Sequence, residues 1–112
     1  MSIRVYICRT EKPADAGNDP IVLQRWKDLV QEVPAMHLYE GDESLPAGVS
    51  APESPSEGLA RWAGHPEHHS VWLHYRDGLV YADGYDAYVV TRMRALALRL
   101  GARVRSESGA IF

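Results

Sequence analysis

The sequence predicts an α+β fold in which an antiparallel-rich sheet and two amphipathic helices form a two-layer sandwich. Two stretches carry apolar residues at helical spacing, and each of them has a single apolar stripe. Between them lies a hairpin with one apolar face. Both helices should therefore pack on one face of the sheet, and a ferredoxin-like order is one way to connect these elements.

The first strand and the first helix follow from the spacing of apolar residues. Residues 3–8 alternate with the period of a half-buried strand, and a turn-rich loop follows. Asp19 is predicted to cap a helix with Pro20 in its first turn. The predicted apolar stripe of this helix consists of Val22, Trp26, Leu29, Val30 and Val33. Pro34 ends the helix, because proline disfavours the helical conformation in the residue before it.

The middle of the chain is predicted to be a long surface loop at about 41–58, inside a single domain of residues 1–112. This segment holds three prolines, three glycines and four serines, so it can bury little and offers few ladder donors. The sequence MHLYE before it suggests a short edge strand, and LARWAG after it suggests a strand that returns to the sheet.

The clearest local signal is the hairpin VWLHYRDGLVYAD, in which Asp77-Gly78 forms a two-residue turn. The turn places Arg76 opposite Leu79, Tyr75 opposite Val80, His74 opposite Tyr81, and Leu73 opposite Ala82. The apolar face, predicted to be core, carries Val71, Leu73, Tyr75, Val80 and Ala82. The other face carries Trp72, His74, Arg76, Leu79, Tyr81 and Asp83.

The second helix is predicted to begin at Asp86, which caps it, and to end at Gly101. Its stripe consists of Val89, Met93, Leu96, Ala97 and Leu100. The remaining residues, ARVRSESGAIF, read as a closing strand with a small turn at Ser108-Gly109.

Composition restricts the classes of protein that the chain can represent. With 112 residues and 46% hydrophobic content, it needs no disulfide or metal to fold, and its lone Cys8 fits a reducing compartment. No run approaches 18 apolar residues, so we expect a cytoplasmic protein without a membrane partner. The net charge of -3 argues against a nucleic-acid partner.

The histidine-rich segment HPEHH, residues 65–69, does not have the spacing of a metal site. Pro66 breaks any helix there, so no helical H-E-x-x-H pair can form. On an extended segment, His68 and His74 would lie about 20 Å apart and could not share an ion. We therefore predict a polar loop that leads into a strand, with no metal and no cofactor.

Catalytic residues are not evident in the sequence. Cys8 lacks a neighbouring base in the sequence, and His74 would need a carboxylate to orient it and a pocket. An exposed Trp beside Arg and Tyr is instead typical of an interface anchor. The hypothetical binding residues are therefore Trp72, His74, Arg76 and Tyr81. Alternatively, the loop at 41–58 covers this face.

The stretches NDPIVLQRW, RWAGHP, VWLHYRDGLVY and LALRLGARVRSESGAIF together resemble a group of small bacterial proteins. The resemblance covers most of the chain, but each motif is structural, and the chain departs from the pattern at Tyr75, Ser108 and Phe112. Members of the group are often encoded beside secreted or contact-dependent toxins. The resemblance thus implies an immunity protein and assigns no catalytic residue.

The sequence accordingly predicts a non-enzymatic protein-binding domain, an immunity protein that masks a cognate toxin. The alternative is a small enzyme or small-molecule-binding domain that uses His74, Tyr81 and Arg76 in a cleft over the sheet. A further option is a homodimer formed through the exposed sheet face.

Overall fold

The computed structural model describes residues 3–39, 45, 52, 57–68 and 70–112. These residues form one antiparallel sheet of six strands and two α-helices, which confirms the predicted α+β class. The strands are β1 Arg4–Cys8, β2 Met36–Leu38, β3 Ala60–Trp62, β4 Val71–Arg76, β5 Leu79–Asp83 and β6 Arg103–Arg105. The helices are α1 Leu23–Glu32 and α2 Ala87–Leu100, and a 3-10 helix spans Pro13–Asn18. Neither of the described α-helices has the length and apolar character needed to cross a membrane.

The strands lie side by side in the order β2-β3-β4-β5-β1-β6. Without β2 and β3, the remaining elements run β-α-β-β-α-β along the chain, with strands ordered β4-β5-β1-β6. This is a ferredoxin-like arrangement, which the β2–β3 pair extends along the free edge of β4.

Both helices pack on one face of the sheet, which we call the inner face. The strands contribute alternate residues to it, since Val5 pairs with Ala82 and Ile7 pairs with Val80. From α2, the predicted stripe is buried without exception: Val89, Met93, Leu96, Ala97 and Leu100. From α1, the buried residues are Trp26, Leu29 and Val30. The predicted layering of the core is therefore confirmed.

The start of α1 differs from the prediction. The helix begins at Leu23 rather than near Pro20, Val22 is 62% exposed, and Asp19 forms an ion pair with Arg9 instead of capping the helix. The residues before the helix are used elsewhere, because the amide of Ile21 donates to the carbonyl of Gly78 at the hairpin tip (2.8 Å). Docking of the hairpin thus keeps this segment extended.

The predicted hairpin turn is present. Asp77 and Gly78 both have positive φ, 49° and 85°, as a two-residue turn of this type requires. The first three predicted pairs are confirmed, and pairing between β4 and β5 ends at His74 and Tyr81. It stops before Leu73 and Ala82, so that predicted pair is wrong. Along its other edge, the first half of β4 pairs with β3.

The opposite face of the sheet, the outer face, is partly covered near the hairpin tip. The 3-10 helix lies there, and its Ala16 packs with Tyr6, Cys8 and Leu79 in a second buried cluster. The sequence predicted only a turn-rich loop for this segment. Of the loop predicted at about 41–58, all but residues 45, 52, 57 and 58 lie outside the described residues.

The second helix has both predicted caps. The Asp86 side chain accepts a hydrogen bond from the Val89 amide (3.0 Å), and Gly101 has φ of 65°. After β6, the chain turns at Ser108 and Gly109, and Arg105 forms an antiparallel bridge with Ile111.

Candidate functional site

A row of half-buried aromatic rings crosses the outer face. Tyr39 meets Trp72 at a ring angle of 81° with centroids 5.4 Å apart. His74 stacks on Tyr81 with an interplanar angle of 8° and a centroid separation of 4.8 Å. Because Trp72 and His74 lie two residues apart on β4, they point to the same side of the sheet. We call Tyr39, Trp72, His74 and Tyr81 the aromatic row.

Arg4 of β1 completes the row at the Tyr81 end. Its guanidinium carbon lies 4.4 Å from the centroid of the Tyr81 ring, and its Nε donates to Asp83 Oδ1 at 2.5 Å. The pKa of Arg4 is raised, chiefly by its side-chain hydrogen bond to Asp83 and further by the charge of that carboxylate. Arg4 and His74 therefore both contact the Tyr81 ring, and Tyr81 is better suited to support its neighbours than to contact a partner.

The four predicted binding residues are distributed over two cavities. Trp72 and His74 line a cavity of about 650 Å³. Arg76 and Tyr81 line a separate cavity of about 280 Å³ beside the 3-10 helix. The side chain of Arg76 is 67% exposed, and its Nε lies 3.5 Å from a carboxylate oxygen of Asp77. The four residues lie on the same face, as predicted, but they do not form one cleft.

The larger cavity exists because β4 and β5 separate. Pairing between them ends at His74 and Tyr81, while the end of β5 continues to pair with β1 at Asp83. The diverging ends, residues 70–72 and 83–85, lie on the two sides of the cavity, and Asp86 and Val89 close it at the start of α2. We call it the splay cavity.

His74 has the chemistry of a neutral ring. Burial is the main cause that lowers the pKa of His74; the charge of Asp83 raises this pKa, and the charge of Arg4 lowers it further. The ring is therefore uncharged near pH 7. Among the described residues, no carboxylate forms a hydrogen bond with it, and a general base would need one to orient it. Its observed contact is the stack on Tyr81.

His65 is buried, with its ring among Trp62, His68 and Tyr88. Its Nδ1 accepts hydrogen bonds from the amides of Glu67 (2.9 Å) and His68 (3.1 Å). The Nε2 lies 2.7 Å from Oδ2 of Asp86. Since Nδ1 accepts two bonds, the ring proton is on Nε2, which donates to Asp86. The hydrogen bonds of His65 thus stabilise the turn in the HPEHH segment and connect this segment to Asp86, the cap of α2.

Among the described residues, one group could be considered for a metal ion. Potential ligand atoms of His65, His68 and Asp86 lie within 4.8 Å of one another. A metal-bound histidine normally donates its second ring N–H to an acceptor. His65 does the reverse, because its second nitrogen accepts two amide bonds. The geometry therefore suits a hydrogen-bonded structural group better than a metal centre; His69 lies outside the described residues.

Cys8 is buried on the outer face beneath the 3-10 helix. Burial raises the pKa of its thiol, against smaller lowering contributions from hydrogen bonds to Thr10 and from Arg105. A raised pKa keeps the thiol protonated, and the thiolate is the nucleophilic form. Cys8 is therefore unsuited to nucleophilic catalysis.

Sequence reasoning missed the residues that join Trp72 and His74 around the splay cavity. His68, Asp83, Tyr85 and Asp86 all line it. Asp83 was predicted on this face but not as a site residue, Asp86 was predicted only as a helix cap, and His68 was placed too far from His74 to share an ion. No local sequence signal marks the point at which pairing between β4 and β5 ends, at His74 and Tyr81.

Comparison of the chain with protein-family models, with curated proteins and with solved structures gave no match.

Proposed function

We propose that this chain is a non-catalytic protein-binding domain of the bacterial cytoplasm, an immunity protein that neutralises a cognate toxin by binding it through the outer face. The observation that carries the proposal is the aromatic row on a sheet face that neither described α-helix covers. Aromatic rings and arginines are enriched in the centres of protein interfaces, and the outer face presents both.

The contacts between the side chains of the row support a binding role. The Trp72 ring contacts Tyr39, and His74 stacks on Tyr81, which also contacts Arg4. Side chains that are already ordered lose little conformational entropy when a partner binds. The row therefore resembles a preorganised recognition surface.

The chemistry of the reactive residues also favours binding over catalysis. The Cys8 thiol is buried with a raised pKa, and His74 has no carboxylate hydrogen bond among the described residues. Covalent catalysis requires a nucleophile with an adjacent base, whereas the Cys8 thiol donates its hydrogen bond to the carbonyl of Thr10.

The proposal is tested by co-expression with the product of the adjacent gene, with cell growth and complex affinity as readouts. Trp72→Ala and Arg76→Glu should each weaken the complex by about thirtyfold or more, as truncation of interface anchors commonly does. Growth protection should be lost with the Trp72 variant.

Two control variants lie in the other layer. Leu98→Ala truncates a side chain that is 82% exposed on α2, and Arg94→Glu reverses an exposed charge on the same helix. Both should leave affinity within about twofold of the unmodified protein. A harmless neighbouring product, or unchanged affinity in folded Trp72→Ala, would contradict the proposal.

The splay cavity favours a second candidate function, a domain that binds a small molecule. Its volume of about 650 Å³ is within the usual range of ligand pockets, and it combines aromatic and polar side chains. In that case His74→Ala should abolish ligand binding, whereas Arg76→Ala should leave it unchanged, because Arg76 does not line this cavity. Isothermal titration with ligands that stabilise the protein in a thermal screen would decide it.

A further inference from the structure

The splay cavity has an acidic and aromatic lining. Two carboxylates, Asp83 and Asp86, border it, and none of the described residues lining it is a lysine or arginine. The pKa of Asp86 is lowered, mainly by the hydrogen bond from the Val89 amide and also by the one from His65. This carboxylate is therefore ionised at neutral pH. The ring of His74 is uncharged there, because burial lowers its pKa. The described lining residues therefore supply carboxylates and no lysine or arginine.

Asp83 keeps a role in the cavity despite its ion pair. Arg4 reaches Oδ1 of Asp83 from the neighbouring strand β1 and is not among the residues that line the cavity. The Asp83 side chain remains 42% exposed. Asp83 thus lines the cavity with a carboxylate that is still partly accessible, whereas its ion-pair partner does not line the cavity.

Two aromatic rings supply the second element of cation recognition. Trp72 and Tyr85 both line the cavity, and each is held by an edge contact, Trp72 with Tyr39 and Tyr85 with Phe112 at 5.0 Å. The faces of Trp and Tyr rings attract ammonium and guanidinium groups, and the attraction is greatest for Trp. Carboxylates beside such rings favour an organic cation over an anion or a neutral apolar group.

We propose that the splay cavity is an anchor pocket for a cationic side chain, a guanidinium or ammonium group, presented by the protein partner. This inference rests on the proposed function, and it adds the chemistry of the group that the outer face recognises. Trp72 provides the aromatic surface, while Asp83 and Asp86 provide the compensating charge.

The test uses a matched pair of probes, N-acetyl-arginine methylamide and its neutral isostere N-acetyl-citrulline methylamide. NMR titration of the full chain should show saturable shifts of the Trp72 indole N–H with the arginine probe, with a dissociation constant on the order of 1 mM. The citrulline probe should bind at least tenfold more weakly. Equal binding of both probes, or no binding of the arginine probe, would overturn the pocket's preference for a cation.

Two substitutions that each remove one negative charge test whether the arginine probe binds at Asp83. Asp83→Asn should weaken the arginine probe at least fivefold, because it removes a carboxylate that lines the cavity. Asp77→Asn removes an exposed carboxylate at the hairpin turn, outside the cavity, and should change binding less than twofold. Asparagine tolerates the positive φ at position 77, so the control variant should fold. Equal effects of the two variants would refute the assignment.

A competition measurement separates this inference from the proposed function. At saturating concentration, the arginine probe should weaken the partner complex at least fivefold. A complex that forms and depends on Trp72 but is insensitive to the probe would leave the proposed function standing and overturn the anchor pocket. Binding of the probe with no partner complex at all would contradict the proposed function and assign the cavity to a free organic cation.

Discussion

Substitution of Gly78 by alanine tests how the hairpin tip is docked on the rest of the protein. Gly78 has φ of 85°, and a Cβ atom built there would lie 2.5 Å from Cβ and 2.9 Å from Cα of Pro20. Carbon atoms in contact normally lie about 3.5–4.0 Å apart, so Pro20 would have to move by about 1 Å. Its neighbour Ile21 donates a hydrogen bond to the carbonyl of Gly78, and this bond would be strained by the same movement.

The expected cost has two parts. An L-residue in the left-handed region costs roughly 1–2 kcal/mol. Loss of the Ile21–Gly78 hydrogen bond and of close packing at Pro20 adds about 1–2 kcal/mol. We therefore expect Gly78→Ala to lower the free energy of unfolding by about 2–4 kcal/mol, measured by urea denaturation with an unchanged dependence on denaturant.

Gly84 provides a matched control. Its φ is 72°, but nothing lies within 4 Å of a Cβ built there, so Gly84→Ala should cost only the conformational part, roughly 1–2 kcal/mol. Gly78→Asn is a second control, because asparagine tolerates positive φ but still brings a Cβ against Pro20. Equal losses for the two alanine variants, or a fully stable Gly78→Asn, would refute the steric argument.

Three further predictions concern the core, the acid response and metal binding. Leu96→Ala should lower the free energy of unfolding by about 2–5 kcal/mol, because Leu96 is 1% exposed. Leu98→Ala, at an 82% exposed position, should change it by less than about 0.5 kcal/mol. Equal losses in urea denaturation would show that the helix faces are wrongly assigned. Asp86 has a lowered pKa in the folded state, so it contributes stability above its unfolded pKa of about 3.9, and the contribution disappears as the pH falls through the folded pKa. Asp86→Asn keeps a cap acceptor but removes this titration, so its melting temperature should fall less steeply than that of the unmodified protein between about pH 5 and pH 3, and parallel curves would contradict the reasoning. Because both ring nitrogens of His65 are used, the protein dialysed after exposure to zinc should retain no stoichiometric metal, and a chelator should not lower its melting temperature; one zinc per chain by elemental analysis would overturn this.

The elements that short-range chemistry determines were predictable from the sequence. The Asp77-Gly78 turn fixed the pairing of the hairpin near its tip, and Asp86 and Gly101 marked the ends of α2 within a residue. In each case the signal is local, since positive φ and helix capping depend on only a few neighbouring residues. The number and placement of the helices followed from the same kind of evidence.

Features that depend on distant partners were not predictable. Asp19 resembled a helix cap, but its carboxylate pairs with Arg9, and the backbone nearby is bonded to the hairpin tip. The sequence predicted His65 as a polar loop residue, but it is buried, and its ring N–H is bonded to Asp86, 21 positions away. Such tertiary contacts override local preference and leave no periodic trace in the sequence.

The division of β4 between two partners has a consequence for how the protein opens. Among the described residues, the β2–β3 pair is joined to the remainder of the sheet only along the first half of β4, by three residue pairs, whereas β1 and β5 are paired on both sides. Local opening free energies should therefore be unequal across one continuous sheet. Amide hydrogens of β2 and β3 should exchange through sub-global opening that leaves β1, β5 and β6 intact, so that one edge of the sheet behaves as a separate cooperative unit.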